Sequence, residues 1–349
     1  MYQDPTTTIE HLYSGTHVHK TELVNLLRCE DPYIVELLRR RADSLRRESY
    51  GTEVYIRGLI EFTNYCKNNC YYCGIRRDNG NALRYRLTTE DIMSCCHEGY
   101  RLGFRTFVLQ GGEDGFFNRE KICDIVSSIK QKYPDCAVTL SVGEWSKEDY
   151  QAFYDAGADR YLLRHETACS EHYSKLHPEG MSLDTRKECL FNLKDIGFQV
   201  GSGFMVGSPF QTLDNLAEDI LFLGQLNPHM IGIGPFITHK DTPFGDRESG
   251  SLELTLKLIS ILRLRHPKAL IPATTALGTI HPNGRELGLK YGANVIMPNL
   301  SPASVREKYT LYNNKLSTGE EAAEGLDKLK EAVIKAGYSI VVDVGHAKM

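Results

Sequence analysis

The chain has 349 residues, of which 41% are hydrophobic and 25% charged, and its formal net charge is −4. This is an ordinary globular composition, and the charge gives no electrostatic reason to expect nucleic acid or an anionic membrane as a partner. No apolar run of about eighteen residues predicts a membrane span, and the N-terminus lacks the basic start and apolar core of a secretory signal. We therefore expect a cytoplasmic protein whose ten cysteines form no disulfide framework.

Residues 1–50 are predicted to be an N-terminal helical extension. Residues 20–49 have the apolar and charged spacing of two amphipathic helices rich in leucine and arginine. Residues 1–19 are polar and are predicted to be irregular. We expect the helices to form a cap that precedes the main domain.

From residue 53 the sequence alternates strand-like and helix-like segments. The predicted strands are 53–60, 104–110, 136–142, 159–165, 198–205, 229–235, 269–275 and 293–298. The predicted helices are 88–102, 118–132, 146–156, 182–196, 212–226, 251–265 and 283–291. Most strands are short apolar runs, as expected for parallel strands buried on both faces. Eight units predict a complete (β/α)8 TIM barrel over residues 51–312, whereas the alternative, a doubly wound open sheet, normally has five or six strands.

Capping residues mark several helix ends. Four glycines stand where a helix-like segment gives way to a strand, namely Gly103, Gly157, Gly197 and Gly292. Thr88 with Asp91, and Ser146 with Asp149, have the spacing of a capping box. The remaining residues, 313–349, are predicted to be a short extension with a helix and a strand.

Three cysteines with CxxxCxxC spacing, Cys66, Cys70 and Cys73, follow the first predicted strand. Such a loop can bring three thiolates to one [4Fe–4S] cluster and leave one iron without a protein ligand. Zinc sites usually have four ligands, and no fourth Cys or His stands at a matching distance nearby. The other seven cysteines fall mostly within helix or strand patterns, where we expect small buried hydrophobic side chains.

Polar and glycine residues gather at the carboxyl ends of the predicted strands, where a barrel carries its chemistry. The stretch Gly201–Gly207 contains GxGxxxG, but this departs from the dinucleotide pattern GxGxxG. A glycine-lined strand edge against an adenine or a methionine fits it better. His165 and Glu166 are either a catalytic acid–base pair or ligand-binding residues, and we favour binding.

The cysteine spacing resembles the signature of the radical S-adenosylmethionine (SAM) superfamily, in which the open iron chelates SAM. A longer set of segments resembles the HydE family of radical-SAM maturases of [FeFe]-hydrogenase. These segments are IEFTNYCKNNCYYCGIRRDN, YRLTTEDI, LQGGED, SVGEW, AGADRYLLRHETA, IGIGPF, IPATTALGTI and GANVIMPN. They span about residues 50–315 in order, and RHETA and IPATTALGTI favour this family over methylornithine synthase and biotin synthase.

The resemblance assigns site residues by position. Cys66, Cys70 and Cys73 would hold the cluster, and Tyr72 would pack on the adenine of SAM. The other implied SAM contacts are Gly111, Gly112, Glu113, Ser141, Glu166 and Arg186, the last suited to the SAM carboxylate. The residues implied to line the substrate cavity are Gln110, Arg164, Thr274, Thr275, Tyr309 and Tyr312.

The resemblance also implies an activity. The enzyme would reductively cleave SAM to methionine and a 5′-deoxyadenosyl radical, with an external one-electron reductant. The radical would then attack a cysteine-bound iron carbonyl–cyanide complex at sulfur, for assembly of the dithiomethylamine bridge, in company with other hydrogenase maturases. The alternatives are a mutase of a small amino-acid-like substrate, similar to methylornithine synthase, and an iron–sulfur electron carrier.

One feature departs from the family pattern. Some members carry a second cluster on three cysteines near the C-terminus, but here no cysteine follows Cys189, and Ser317 stands near the place of the first. We therefore predict one [4Fe–4S] cluster, with SAM as the second cofactor.

Overall fold

The computed structural model describes residues 4–316 and 325–348 and has an α/β fold built on parallel strands. Three helices come first: α1 (Pro5–Ser14), α2 (Lys20–Arg28) and α3 (Pro32–Tyr50). The prediction that residues 1–19 are irregular is wrong for α1. Asp4 caps this helix by accepting from the Thr6 amide at 3.1 Å, and Ile9 and Leu12 are buried. Because residues 1–19 are mostly polar, the sequence alone did not indicate the short apolar face that Ile9 and Leu12 form.

The strands are short. They are β1 (Glu53–Ile56), β2 (Gly58–Thr63), β3 (Thr106–Gly111), β4 (Ala137–Ser141), β5 (Arg160–Leu162), β6 (Gln199–Ser202), β7 (Met205–Val206), β8 (Met230–Ile231), β9 (Gly234–Pro235), β10 (Val295–Ile296) and β11 (Ser339–Val341). Six of them form a parallel sheet in the order β2-β3-β4-β5-β6-β8. The predicted α/β class and parallel pairing are therefore confirmed.

Four predicted strands differ from the structure. Predicted strand 198–205 is divided into β6 and β7, and 229–235 is divided into β8 and β9. The first, 53–60, is divided at Arg57, because β1 pairs with β10 and β11 whereas β2 pairs with β3. The seventh, 269–275, has only isolated parallel bridges at Leu270 and Pro272. Pro272 has no N–H to donate, which prevents a regular ladder there.

Backbone hydrogen bonds continue the parallel pairing beyond the six-stranded sheet. The Ile231 amide donates to the Leu270 carbonyl at 2.9 Å, and the Asn294 amide donates to Ile271 at 2.8 Å. The Leu59 amide in β2 donates to Pro298 at 2.9 Å. These bonds connect β8, through residues 270–273 and 294–299, with β2.

The remaining helices lie mainly between the strands. They are α4 (Thr89–Arg101), α5 (Arg119–Lys132), α6 (Lys147–Asp155), α7 (Ser170–Leu176), α8 (Leu183–Ile196), α9 (Leu213–Leu226), α10 (Leu252–Arg265), α11 (Thr275–Ile280), α12 (Gly284–Lys290), α13 (Ala303–Arg306) and α14 (Leu326–Lys335). All seven predicted helices are present, and the short helices α7, α11 and α13 were not predicted. Of the N-terminal helices, α2 packs on α9 and α3 on α10.

The capping predictions mostly agree with the structure. The four junction glycines, Gly103, Gly157, Gly197 and Gly292, have φ between 94° and 119°. Thr88 and Asp91 form the predicted capping box at the start of α4. At α6 the Ser146 hydroxyl accepts from the Asp149 amide at 3.1 Å and lies 2.9 Å from the Asp149 carboxylate, so only half of the box forms.

The C-terminal extension has a helix and a strand in residues 325–348, namely α14 and β11. Strand β11 pairs with β1 in register Glu53 with Ser339. Ser317 lies outside the described residues. Among the described helices, none combines the length and apolar character needed to cross a bilayer.

Candidate functional site

The site begins with a row of side chains on three neighbouring strands. Glu61 on β2 is in register with Gln110 on β3, and Gln110 is in register with Ser141 on β4. Residues in register on parallel strands point to the same side of the sheet. Gln110 and Ser141 were predicted to bind substrate and SAM, respectively, and the structure gives them a common face near the strands' carboxyl ends.

The three cysteines lie on the loop that follows β2, as predicted. Burial and the neighbouring thiols raise the pKa of Cys73 to about 12 and also raise the pKa of Cys70. Burial likewise raises the pKa of Cys66. All three cysteines are half-buried on this one loop. The deprotonated thiols of these three cysteines would need a cationic partner.

The donor set fits a [4Fe–4S] cluster. Three thiolates from one loop are the ligands that such a cluster takes, each bound to a different iron, so the sulfurs need not converge on one point. Consistently, among residues 4–316 and 325–348 no group of three or more His, Cys, Asp or Glu side chains converges on a single metal ion. The other seven cysteines lie elsewhere, and four of them, Cys95, Cys96, Cys136 and Cys189, are buried as expected.

Tyr72, predicted to meet the adenine, is held by a histidine that the sequence did not single out. The Tyr72 hydroxyl lies 3.1 Å from His177 Nε2, and His177 Nδ1 lies 2.9 Å from the Tyr173 carbonyl. Because a carbonyl only accepts, Nδ1 carries the proton and Nε2 accepts from Tyr72. Burial lowers the pKa of His177 to about 3, so the histidine stays neutral.

The ring of Tyr72 also has apolar neighbours. Tyr71 and Tyr72 pack against a small cluster formed by Leu176, Met205, Phe236 and Phe244. An apolar wall beside the cysteine loop is suited to the face of a purine. The adenine contact of Tyr72 stays a prediction.

The predicted glycine–glycine–glutamate segment lies directly beside the cysteine loop. A Cβ on Gly112 would clash with the Tyr65 carbonyl oxygen and would lie 2.7 Å from the Cys66 Cβ. The Lys67 amide donates to the Glu113 carbonyl at 2.8 Å, and Lys67 Nζ lies 3.1 Å from Glu113 Oε2. The close approach of the two backbones explains why a glycine is required at position 112.

Arg186 has a partner that the sequence did not reveal. Its Nε lies 2.6 Å from Oε1 of Glu144, on the loop after β4. Burial alone would lower the pKa of Arg186, but Glu144, Tyr173 and Glu113 hold that pKa above its ordinary value. Burial raises the pKa of Glu144, and the charge of Arg186 opposes this rise. The guanidinium is therefore a permanent buried cation.

Arg164 and Glu166 form a second ion pair, with Arg164 NH2 at 3.0 Å from Glu166 Oε2. Glu166 has a φ of 64°, in the left-handed region that non-glycine residues rarely adopt. The Glu166 amide donates to the Gly203 carbonyl at 3.1 Å, which holds this backbone against the glycine-rich edge after β6. Strained backbone of this kind is concentrated at functional sites.

These ion pairs leave polar atoms unsatisfied. The buried atoms without a hydrogen-bond partner include Glu113 Oε2, Glu144 Oε1, Arg164 Nε, Arg164 NH2, Glu166 Oε2 and Arg186 Nε. Each charged pair is within ion-pair distance, but none is aligned as a hydrogen bond. Buried polar groups normally find partners. A ligand with amino and carboxylate groups, such as the methionine part of SAM, has the donors and acceptors that this set needs.

Two of the predicted substrate residues, Gln110 and Tyr309, contact each other. Gln110 Nε2 lies 3.5 Å from the hydroxyl of the buried Tyr309. Thr274 is the N-cap of α11 and has a buried hydroxyl without a hydrogen-bond partner, and Thr275 begins the helix. Tyr312 is partly buried three residues beyond Tyr309. The structure thus brings Gln110 and Tyr309 together.

His165 has no part in this site. It is fully buried, with Nδ1 at 2.9 Å from the Ser202 hydroxyl and Nε2 at 3.3 Å from Asp219 on α9. Glu166 has a different partner, Arg164, so the His165 and Glu166 side chains take part in separate contacts. The hypothesis of a His165–Glu166 acid–base pair is therefore wrong.

Comparison with known proteins gives the family. A model described as the Radical SAM superfamily matches residues 60–223. The chain is 48% identical to the "[FeFe] hydrogenase maturase subunit HydE" of Thermotoga maritima, over 86% of this chain and 85% of that protein. It is 29% identical to the 3-methylornithine synthase of Methanosarcina barkeri, over 88% of this chain and 87% of that one.

A solved structure of a related enzyme has a similar fold. The crystal structure of methylornithine synthase (PylB) superposes with a TM-score of 0.84 at 26% identity, over 95% of this chain and 97% of that one. Together with the cysteine loop and its charged surroundings, these similarities define a radical SAM enzyme, a class that uses a [4Fe–4S] cluster and SAM. Within this class the chain belongs to the HydE family.

Proposed function

We propose that this enzyme acts in maturation of [FeFe]-hydrogenase, by converting a cysteine-bound iron carbonyl–cyanide complex into a precursor of the dithiomethylamine-bridged cluster. The observation that carries the proposal is the 48% identity to a HydE protein over most of both chains. The buried charges beside the cysteine loop support it, because they suit a polar, charged ligand.

Cys66, Cys70 and Cys73 hold the cluster in this proposal. When bound, the [4Fe–4S] cluster supplies the electron that cleaves SAM reductively into methionine and a 5′-deoxyadenosyl radical. The apolar surroundings of Tyr72 orient the adenine and exclude water from the reacting bond.

The remaining SAM contacts bind its amino-acid part. Gly111, Gly112 and Glu113 contact the amino group. Ser141 and Glu166 are the other polar residues that contact this part of SAM. Arg186 binds the carboxylate through a charge-assisted hydrogen bond. The unsatisfied buried atoms of Glu113, Glu166 and Arg186 support these roles.

The substrate is proposed to lie between the strands, among Gln110, Arg164, Thr274, Thr275, Tyr309 and Tyr312. A half-buried arginine, Arg164, and neutral hydroxyl groups suit a carboxylate together with small polar ligands. The contact between Gln110 and Tyr309 supports this location.

The cavity belongs, in this proposal, to a complete (β/α)8 barrel over residues 51–312, between a helical extension, 1–50, and a tail, 313–349. The hydrogen bonds from β8 through residues 270–273 and 294–299 to β2 support closure. The tail has no ligands for a second cluster, since no cysteine follows Cys189. We further propose a cytoplasmic location, an external one-electron reductant and cooperation with other hydrogenase maturases.

Anaerobic product analysis tests this function. The reconstituted enzyme is reduced and supplied with SAM and the cysteine-bound iron complex, and methionine, 5′-deoxyadenosine and the iron complex are followed together. We expect consumption of the complex in proportion to the 5′-deoxyadenosine formed. Cleavage of SAM with no change in the complex would contradict the proposal.

The superposition with methylornithine synthase favours a second candidate, a mutase of a small amino acid. Formation of a rearranged amino acid from lysine, with the iron complex left unchanged, would favour this candidate. An enzyme that binds a cluster but never cleaves SAM under strong reduction would instead be an electron carrier.

A further inference from the structure

A buried ion pair lies beside the proposed substrate cavity. Lys315 Nζ is 2.7 Å from Oε1 of Glu61, and the side chains are 7% and 0% exposed, respectively. The other carboxylate oxygen of Glu61 accepts from Asn299 Nδ2 at 2.8 Å. Both oxygens of the carboxylate are therefore satisfied, and the pair is fully formed.

The carboxylate of this pair shares a face with residues of the site. Glu61 is in register with Gln110, and Gln110 with Ser141, so the three side chains point to one side of the sheet. Gln110 is a proposed substrate residue and Ser141 a proposed SAM residue. The pair therefore lies at the level where substrate and SAM would meet.

The lysine comes from a segment that crosses this end of the strands. We call residues 308–316 the strap. The Lys308 carbonyl accepts from Asn64 Nδ2 at 2.8 Å, and the Gly74 amide, directly after Cys73, donates to the Leu311 carbonyl at 2.9 Å. These hydrogen bonds attach the strap to the cysteine loop. The charged end of Lys315 is buried in the interior.

The strap also carries Tyr309. Lys315 Nζ lies 5.3 Å from the centroid of the Tyr309 ring, within reach of a cation–π interaction. The Tyr309 hydroxyl lies 3.5 Å from Gln110 Nε2, and the ring is 2% exposed. The ammonium is therefore held between the carboxylate of Glu61 and the face of Tyr309.

We propose that Glu61 and Lys315 are positioning residues, which fix Tyr309 against Gln110 and so set the affinity for substrate. The inference rests on the proposed function for the identity of the substrate. A buried ion pair often adds little stability compared with apolar side chains of the same volume. Its contacts with a proposed substrate residue give it a role beyond stability. Neither residue touches the reacting atoms.

The test compares three variants with the parent enzyme. Lys315→Met keeps most of the length of the side chain without its charge, and Lys315→Met/Glu61→Gln removes both charges of the pair. The control is Lys330→Met, which breaks an exposed ion pair with Asp327. The probe is the cysteine-bound iron(II) carbonyl–cyanide complex, followed by its infrared CO and CN bands, and melting temperature is measured in parallel.

We expect KM for the complex to rise about tenfold or more in both Lys315 variants. We expect SAM cleavage without substrate to be unchanged, and the control to match the parent. The double variant should recover the melting temperature that Lys315→Met loses, while its KM stays high. A double variant that recovers both the melting temperature and the KM of the parent would overturn the proposal, because the pair would then serve stability alone.

A crystal structure of the double variant tests the inference even if the parent does not consume the complex, an outcome that would reject the proposed function instead. We expect the Tyr309 hydroxyl to move out of hydrogen-bond distance of Gln110. A Tyr309 that keeps its position in the double variant would reject the positioning role.

Discussion

Replacing Arg186 by Met tests the buried charge arrangement beside the cysteine loop. The change leaves the Glu144 carboxylate without the guanidinium that lies 2.6 Å away. Removing one partner of a buried ion pair costs about 3–5 kcal/mol. Since the side chains of Arg186 and Glu144 are 11% and 23% exposed, solvent screening reduces this to about 2–4 kcal/mol.

This loss of unfolding free energy corresponds to a measurable fall in the melting temperature. At about 2.1 cal/mol/K per residue, the unfolding entropy of this chain is about 0.7 kcal/mol/K, so the Arg186→Met variant should melt about 3–6 °C lower than the parent. Differential scanning calorimetry of the anaerobic proteins measures this. The double variant Arg186→Met/Glu144→Gln removes both charges and should recover most of the loss.

The same variant has a predicted pH dependence. Burial already raises the pKa of Glu144, and Arg186 opposes that rise, so its removal raises this pKa further. A carboxyl with a raised pKa in the folded state binds its proton more tightly there than in the unfolded chain. Stability of Arg186→Met relative to the parent should therefore recover as the pH falls from neutrality toward the ordinary glutamate pKa. A melting temperature equal to that of the parent at neutral pH would refute the reasoning.

Three further predictions concern the cofactors. After anaerobic reconstitution the parent should bind about four irons per chain, the content of one [4Fe–4S] cluster, and Cys70→Ala should fold but bind no iron and leave SAM intact. Glu166→Gln should weaken SAM binding about ten- to a hundred-fold by calorimetry, whereas Glu171→Gln, at an exposed position 80% accessible, should not. Gly112→Ala should lower iron content, because its Cβ must displace the cysteine loop, whereas Gly115→Ala has no atom within 4 Å of the added Cβ and should match the parent.

Local sequence signals predicted the helices well because helix formation leaves marks close together in the chain. The Thr88 capping box and the glycines at helix ends depend on residues a few positions apart. The same holds for the cysteine loop, whose three cysteines lie within eight consecutive residues from Cys66 to Cys73. Features of this kind can be predicted without knowing how distant segments meet.

The parts that sequence reasoning missed depend on contacts between distant segments. Arg186 was identified through resemblance, but its partner Glu144 comes from a different loop. Glu61 lies in a mostly apolar strand, and its proposed role depends on the ion pair with the distant Lys315. His165 was misjudged for the same reason, since only the position of Asp219 on α9 shows which way it points.

Hydrogenase activation in a defined maturation mixture tests the central claim most directly. This chain replaces HydE in a mixture of inactive hydrogenase, the other maturases, SAM and reductant, and hydrogen evolution is measured. We predict activation that requires SAM and is lost in Cys70→Ala. A parent enzyme that cleaves SAM well in this mixture but yields no active hydrogenase would contradict the maturation role.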